Sequence, residues 1–139
     1  MRVLKLVCTI AAAAVVLIGV AVLPERLAFD CGEKYTFYVG DTSKNCRIVS
    51  VNESPALKKL TLKDVCGEAT FFKTLDVSEF LDRVDGEIIF TEDLSDSRNY
   101  YCTAALPYSI NLYGKEINLH ICVRDEGVTV ATPIIFGGY

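Results

Sequence analysis

The most constraining stretch of this chain runs from Asn99 to Phe136, where apolar and polar residues alternate between two glycine-bearing turns. Strand side chains point to opposite faces with period two, so this pattern fits antiparallel strands with one apolar side. Gly114-Lys115 suits a two-residue hairpin loop with glycine first, as a type II′ turn requires. That register sets Tyr113 opposite Glu116, Leu112 opposite Ile117 and Ile110 opposite Leu119. The connection from Arg124 to Gly127 reads as a four-residue loop, which sets Val123 against Val128 and Ile121 against Val130. The stretch predicts a three-stranded antiparallel meander.

Upstream segments repeat the theme. Lys34–Val39 alternates as a strand with aromatics on both faces, and Cys46–Val51, Lys58–Cys66 and Glu87–Thr91 read as further strands. Asp76-Val77-Ser78-Glu79 is a capping-box-like helix start. Phe80, Leu81 and Val84 form its narrow apolar stripe, and Asp85-Gly86 ends it. So short a helix depends on docking against a sheet. Thr91 to Asn99 is a polar loop. The expected fold is mainly β: an antiparallel sheet or sandwich with one short helix, stabilised by disulfides.

The N-terminus has a different character. Arg2 and Lys5 flank an uncharged run from Leu6 to Leu23, and Gly19 and Ala21 fit a signal-peptidase site. Residues 1–21 therefore read as a cleaved secretory signal, with a signal anchor over 6–23 as the alternative. Either way, residues 22–139 form a single extracellular domain. The whole chain has 14 basic and 18 acidic residues; without Arg2 and Lys5 the balance is 12 against 18, a net charge of −6. An acidic chain with no basic cluster is a poor partner for nucleic acid.

A secreted chain can use its cysteines as bridges. Cys31, Cys46, Cys66, Cys102 and Cys122 lie 15, 20, 36 and 20 residues apart, wider than the close ligand pairs of structural zinc. Cys8 leaves with the signal, so five remain, and two bridges strand one. Five choices of the odd residue times three pairings gives fifteen arrangements. Cys122, inside a strand and opposite the apolar face, is the expected odd one, either buried or joining two chains as a covalent homodimer. Asn52-Glu53-Ser54 is a glycosylation sequon, followed by Pro55.

Catalysis finds little support. The one histidine, His120, is expected at the surface or on the sheet face it shares with Asn118 and Cys122. No serine stands in a nucleophile elbow, and Glu92, Asp93 and Asp96 read as a solvated acidic loop. No enzyme, cofactor or metal is expected. Phe37, Phe71 and Phe90 are assigned to the core, while Tyr100, Tyr108 and Tyr113 are candidate interface anchors. The expected function is a secreted, non-enzymatic binding module for a protein or surface ligand. The alternative is a carrier that encloses a small apolar ligand such as a lipid.

Overall fold

β-branched and aromatic residues dominate the segments that pair, and their pairing builds one large antiparallel sheet. The computed structural model describes residues 1–22, 26–30, 32–41 and 45–136, with side chains of its first helix described through Ile18. Among the described residues the strands are β1 (Lys34–Val39), β2 (Arg47–Val51), β3 (Val65–Phe72), β4 (Glu87–Asp93), β5 (Arg98–Thr103), β6 (Ile110–Leu112), β7 (Lys115–Ile117), β8 (Leu119–Arg124) and β9 (Gly127–Thr132). The helices are α1 (Arg2–Val22), α2 (Pro55–Thr61) and α3 (Val77–Arg83). Seven strands form a sheet in the order β2-β1-β3-β9-β8-β5-β4, and β6-β7 is a separate hairpin.

One face of the sheet carries the main core. Phe37, Leu119, Ile121 and Val130 are fully buried there, and Phe80 and Leu81 of α3 dock against them with Phe29. The α3 start is the one expected: Asp76 caps the helix by accepting from the Glu79 amide at 3.0 Å. Burying Phe80 and Leu81, at about 1.5–3 kcal/mol each, holds a seven-residue helix that would not persist alone. The opposite face carries a smaller cluster of Tyr38, Ala69 and Ala131, covered by Ile135 and Phe136. Gly67 permits this cover, since a side chain there would meet the Thr132 carbonyl at 2.7 Å and the Phe136 ring at 3.0 Å.

Several expectations need correction. β8 and β9 pair as predicted, Val123 with Val128 and Ile121 with Val130, but through a two-residue turn, because Arg124 pairs with Gly127. The third strand of the expected meander is instead split from it. Tyr113 and Gly114 both take positive φ, 52° and 76°, which is a primed hairpin turn. The register becomes Ile110 with Ile117 and Leu112 with Lys115. Asn118 then breaks the strand: its side-chain amide accepts from and donates to the Ala104 backbone, both at 2.6 Å, so β7 and β8 diverge.

Lys58–Cys66 is not a strand. Pro55 at the first helical turn starts α2, and β3 begins only at Val65. As a central strand covered on both faces, β3 is buried throughout Gly67–Thr70, which erases the alternation that would have marked it. Two short helices therefore accompany the sheet instead of one. The expected loop from Thr91 to Asn99 is mostly strand, with β4 and β5 joined through residues 94–97. Phe37 is in the core as expected, while Phe71 and Phe90 are only half-buried on the opposite face.

No two cysteines stand at bonding distance among the described residues, where Cys46, Cys66, Cys102 and Cys122 are free thiols; Cys31 lies outside those residues. Every described side chain of α1, residues 2–18, is exposed, and among the described residues no helix is long and apolar enough to cross a membrane.

Candidate functional site

Glu68 is a carboxylate on the core face of the central strand, and it is completely buried. Burying a charge is costly unless it is paired and hydrogen-bonded. Lys59 of α2 supplies the pair, its ammonium directly against Glu68 Oε1. Glu68 Oε2 accepts from the Tyr35 hydroxyl at 2.5 Å and from the Ala28 amide at 2.7 Å. The Lys59 ammonium also donates to the Arg26 carbonyl at 2.7 Å, and the Phe29 amide donates to the Tyr35 oxygen at 3.2 Å. Burial first, and the Glu68 charge second, raise the Tyr35 pKa, so its hydroxyl stays a neutral donor. The cluster ties the segment 26–29 and α2 onto β1 and β3.

Directly above this cluster lies an open cleft of about 730 Å³. Leu62, Val65, Leu106 and Pro107 give it an apolar lining, and Lys63, Arg26 and Asp64 add charge. Tyr108 forms part of the wall, with the Lys59 ammonium 5.9 Å from its ring centroid. With Lys59 neutralised by Glu68, Arg26 and Lys63 against Asp64 leave the lining net cationic among the described residues, on an otherwise acidic chain. The cleft can hold an extended apolar group beside an anion. The volume lies within the range of small-molecule sites, but the cleft is open and charged instead of enclosed.

The three candidate tyrosines do not come together. Tyr100 packs half-buried against the main core, Tyr108 lines the cleft, and Tyr113 is 86% exposed at the β6-β7 tip. Tyr113 meets Phe90 edge-on at 6.1 Å. Phe90 begins a row that continues through Tyr101 to His120, with successive ring centroids 4.5 Å apart.

His120 sits on the predicted sheet face but is buried, not at the surface, because the tail at Ile135 and Phe136 folds over that face. The Ile135 amide donates to Nδ1 at 3.2 Å, so Nε2 carries the proton and faces Asn99 Oδ1 at 3.0 Å. Burial lowers its pKa to about 4, which leaves a neutral ring at ordinary pH. Both ring nitrogens therefore serve structure.

Cys102 is buried in the main core, where burial pushes its thiol up to about 12; Cys122 is buried on the opposite face. Asn52 is exposed just before α2. The acidic residues 92, 93 and 96 do not converge: Glu92 accepts from the Tyr101 hydroxyl at 3.3 Å, while Arg98 holds Asp93 and keeps its carboxyl below the usual range.

Glu68, Lys59 and Tyr35 were not singled out from sequence. The available signal was a lone glutamate inside the β-rich run Cys66–Phe72, where a buried acid demands a partner. Comparison with known proteins finds no matching family model, no matching curated protein and no matching solved structure.

Proposed function

We propose that this chain is a secreted, non-enzymatic binding module whose cleft takes an extended protein segment carrying an acidic and an apolar side chain. The observation that carries the reading is the cleft itself: apolar walls, a net cationic lining and the Tyr108 ring in its wall. Arg26 and Lys63 supply charge to steer and orient an acidic segment, and Leu106 and Pro107 receive its apolar neighbour. The carrier reading is weaker, because Phe29, Phe37 and Phe80 fill the space between sheet and helix where a lipid would lie. The apolar α1, whose described side chains from 2 to 18 are all exposed, fits a leader that does not belong to the folded domain and is cleaved after Ala21. On that route Asn52 is an exposed glycosylation acceptor.

Panning displayed linear peptides against the protein tests this reading. Peptides pairing an acid with an apolar residue should be enriched, and Lys63→Glu or Tyr108→Ala should abolish their retention. Tyr113→Ala, at the remote hairpin tip, should leave it intact. Retention that survives both cleft substitutions, or that depends on Tyr113, would overturn the assignment.

A further inference from the structure

A single irregularity in the sheet brings two distant cysteines together. β1 pairs with β2 on one side and β3 on the other, with Tyr38 opposite both Ile48 and Gly67. At the next step the register with β3 shifts, and Val39 pairs with Val65, leaving Cys66 as the extra residue of a β-bulge. Strict alternation from Gly67 would have aimed Cys66 into the main core and Val65 away from it. The bulge reverses both: Val65 packs in the main core, and Cys66 packs on the opposite face against Tyr38, Ala69 and Ala131. Cys46, one residue before β2, packs against the same cluster.

The two side chains therefore share one patch of that face, beside the Tyr38 ring. Cys66 Sγ lies 3.4 Å from the Tyr38 carbonyl, and Cys46 Sγ lies 3.8 Å from the Arg47 carbonyl. Both are only partly buried, so a small reagent can reach them. Cys102 and Cys122 have no such geometry. They lie on adjacent strands, but Cys102 pairs with Leu119 and Cys122 with Asn99, which places their side chains on opposite faces.

We propose that Cys46 and Cys66 form a redox pair that closes to a disulfide, linking the start of β2 to the start of β3 across β1. The oxidant is a small disulfide. The thiolate of one cysteine attacks it, giving a mixed disulfide and one released thiol. The thiolate of the other cysteine then displaces the second small thiol and forms the Cys46–Cys66 bond. Two protein thiols are oxidised, one external disulfide is reduced to two thiols, and the protons lost from Cys46 and Cys66 end on those thiols. Burial and the neighbouring Cys46 raise the Cys66 pKa, so closure is faster at alkaline pH. The pair stands on sheet geometry and does not depend on the binding reading.

The full-length reduced protein, equilibrated with oxidised glutathione, alkylated while folded and digested with trypsin without reduction, tests the pair. The expected product is the tripeptide Asn45-Cys46-Arg47 joined to the peptide Asp64–Lys73, two hydrogens lighter than the separate peptides. Cys102 and Cys122 should alkylate only after unfolding. In Cys66→Ser, Cys46 should instead carry a glutathione adduct or an alkyl group. Alkylation of both Cys46 and Cys66 in the glutathione-treated wild type, or linkage of either to Cys31, would overturn the proposal. If Cys66→Ser fails to fold, the wild-type peptide map alone decides.

Discussion

The imidazole of His120 lies flat on the ring of Tyr101, with centroids 4.5 Å apart and planes 18° apart. Its Nδ1 accepts from Ile135, and so the histidine holds the C-terminal tail only while that nitrogen is unprotonated. The folded pKa of about 4 is below the unfolded value of about 6.5, so the unfolded chain binds the extra proton first. The contribution is present in full above about pH 6.5 and is lost as pH falls toward 4. It amounts to about 3 kcal/mol from a shift of that size. Urea unfolding at pH 7 and pH 4.5 should show wild type losing more stability on acidification than His120→Gln. Parallel losses would remove His120 as the cause.

The Lys59–Glu68 pair gives a second expectation. Removing one partner leaves a buried charge uncompensated, at a cost of about 3–5 kcal/mol. Lys59→Met should lower the unfolding midpoint strongly, and adding Glu68→Leu in the same chain should recover much of the loss. Tyr35→Phe, which removes a donor to the charged Glu68 and the acceptor of the Phe29 amide, should cost about 1.5–3 kcal/mol or somewhat more. Equal destabilisation by the single and double variants would show that the pair contributes through packing alone.

Gly114 tests the β6-β7 turn. Its φ is 76°, and a side chain added there would meet nothing within 4 Å, so any penalty is conformational. Gly114→Val should destabilise by about 1–3 kcal/mol, whereas Gly114→Asn should cost far less because asparagine tolerates the left-handed region. Lys115→Ala loses only a cation near the Phe90 ring, at 5.7 Å, and should cost under about 1 kcal/mol. Similar thermal shifts for valine and asparagine would mean that the turn does not require positive φ.

Gly67→Ala should act through the tail. The added methyl collides with the Thr132 carbonyl and the Phe136 ring, and overpacking of this kind costs about 1–3 kcal/mol. Hydrogen exchange should speed up at residues 131–136 well before the main core at Leu119 and Ile121 is affected. Unchanged protection in the tail would show that Phe136 accommodates the methyl.

The N-terminus gives the last expectation. Protein recovered from the medium of secreting cells should begin near Val22, and sequencing its first residues checks this. Intact chains starting at Met1, found only in membrane extracts, would favour the anchor.

Local pattern alone determined the parts of this protein in which one face is buried and the other is not. β1 and α3, with its Asp76 cap, follow from period-two and capping signals, as does the match of Ile121 and Val123 to Val130 and Val128. These signals are short-range, written in neighbouring residues. Tertiary structure decided everything that depends on what lies across the sheet. β3 is buried on both faces and so lost its alternation. Lys59, in a helix too short to announce itself, matters only because it reaches Glu68. His120 lies on the face that the sequence assigned to it, yet its burial awaits a tail that folds back from Ile135. Cys46 and Cys66 are 20 residues apart in sequence and share one face only because a bulge turns one of them over. Side-chain period is a property of a strand, whereas strand order, cover and bulges are settled by long-range contacts that form together as the core closes.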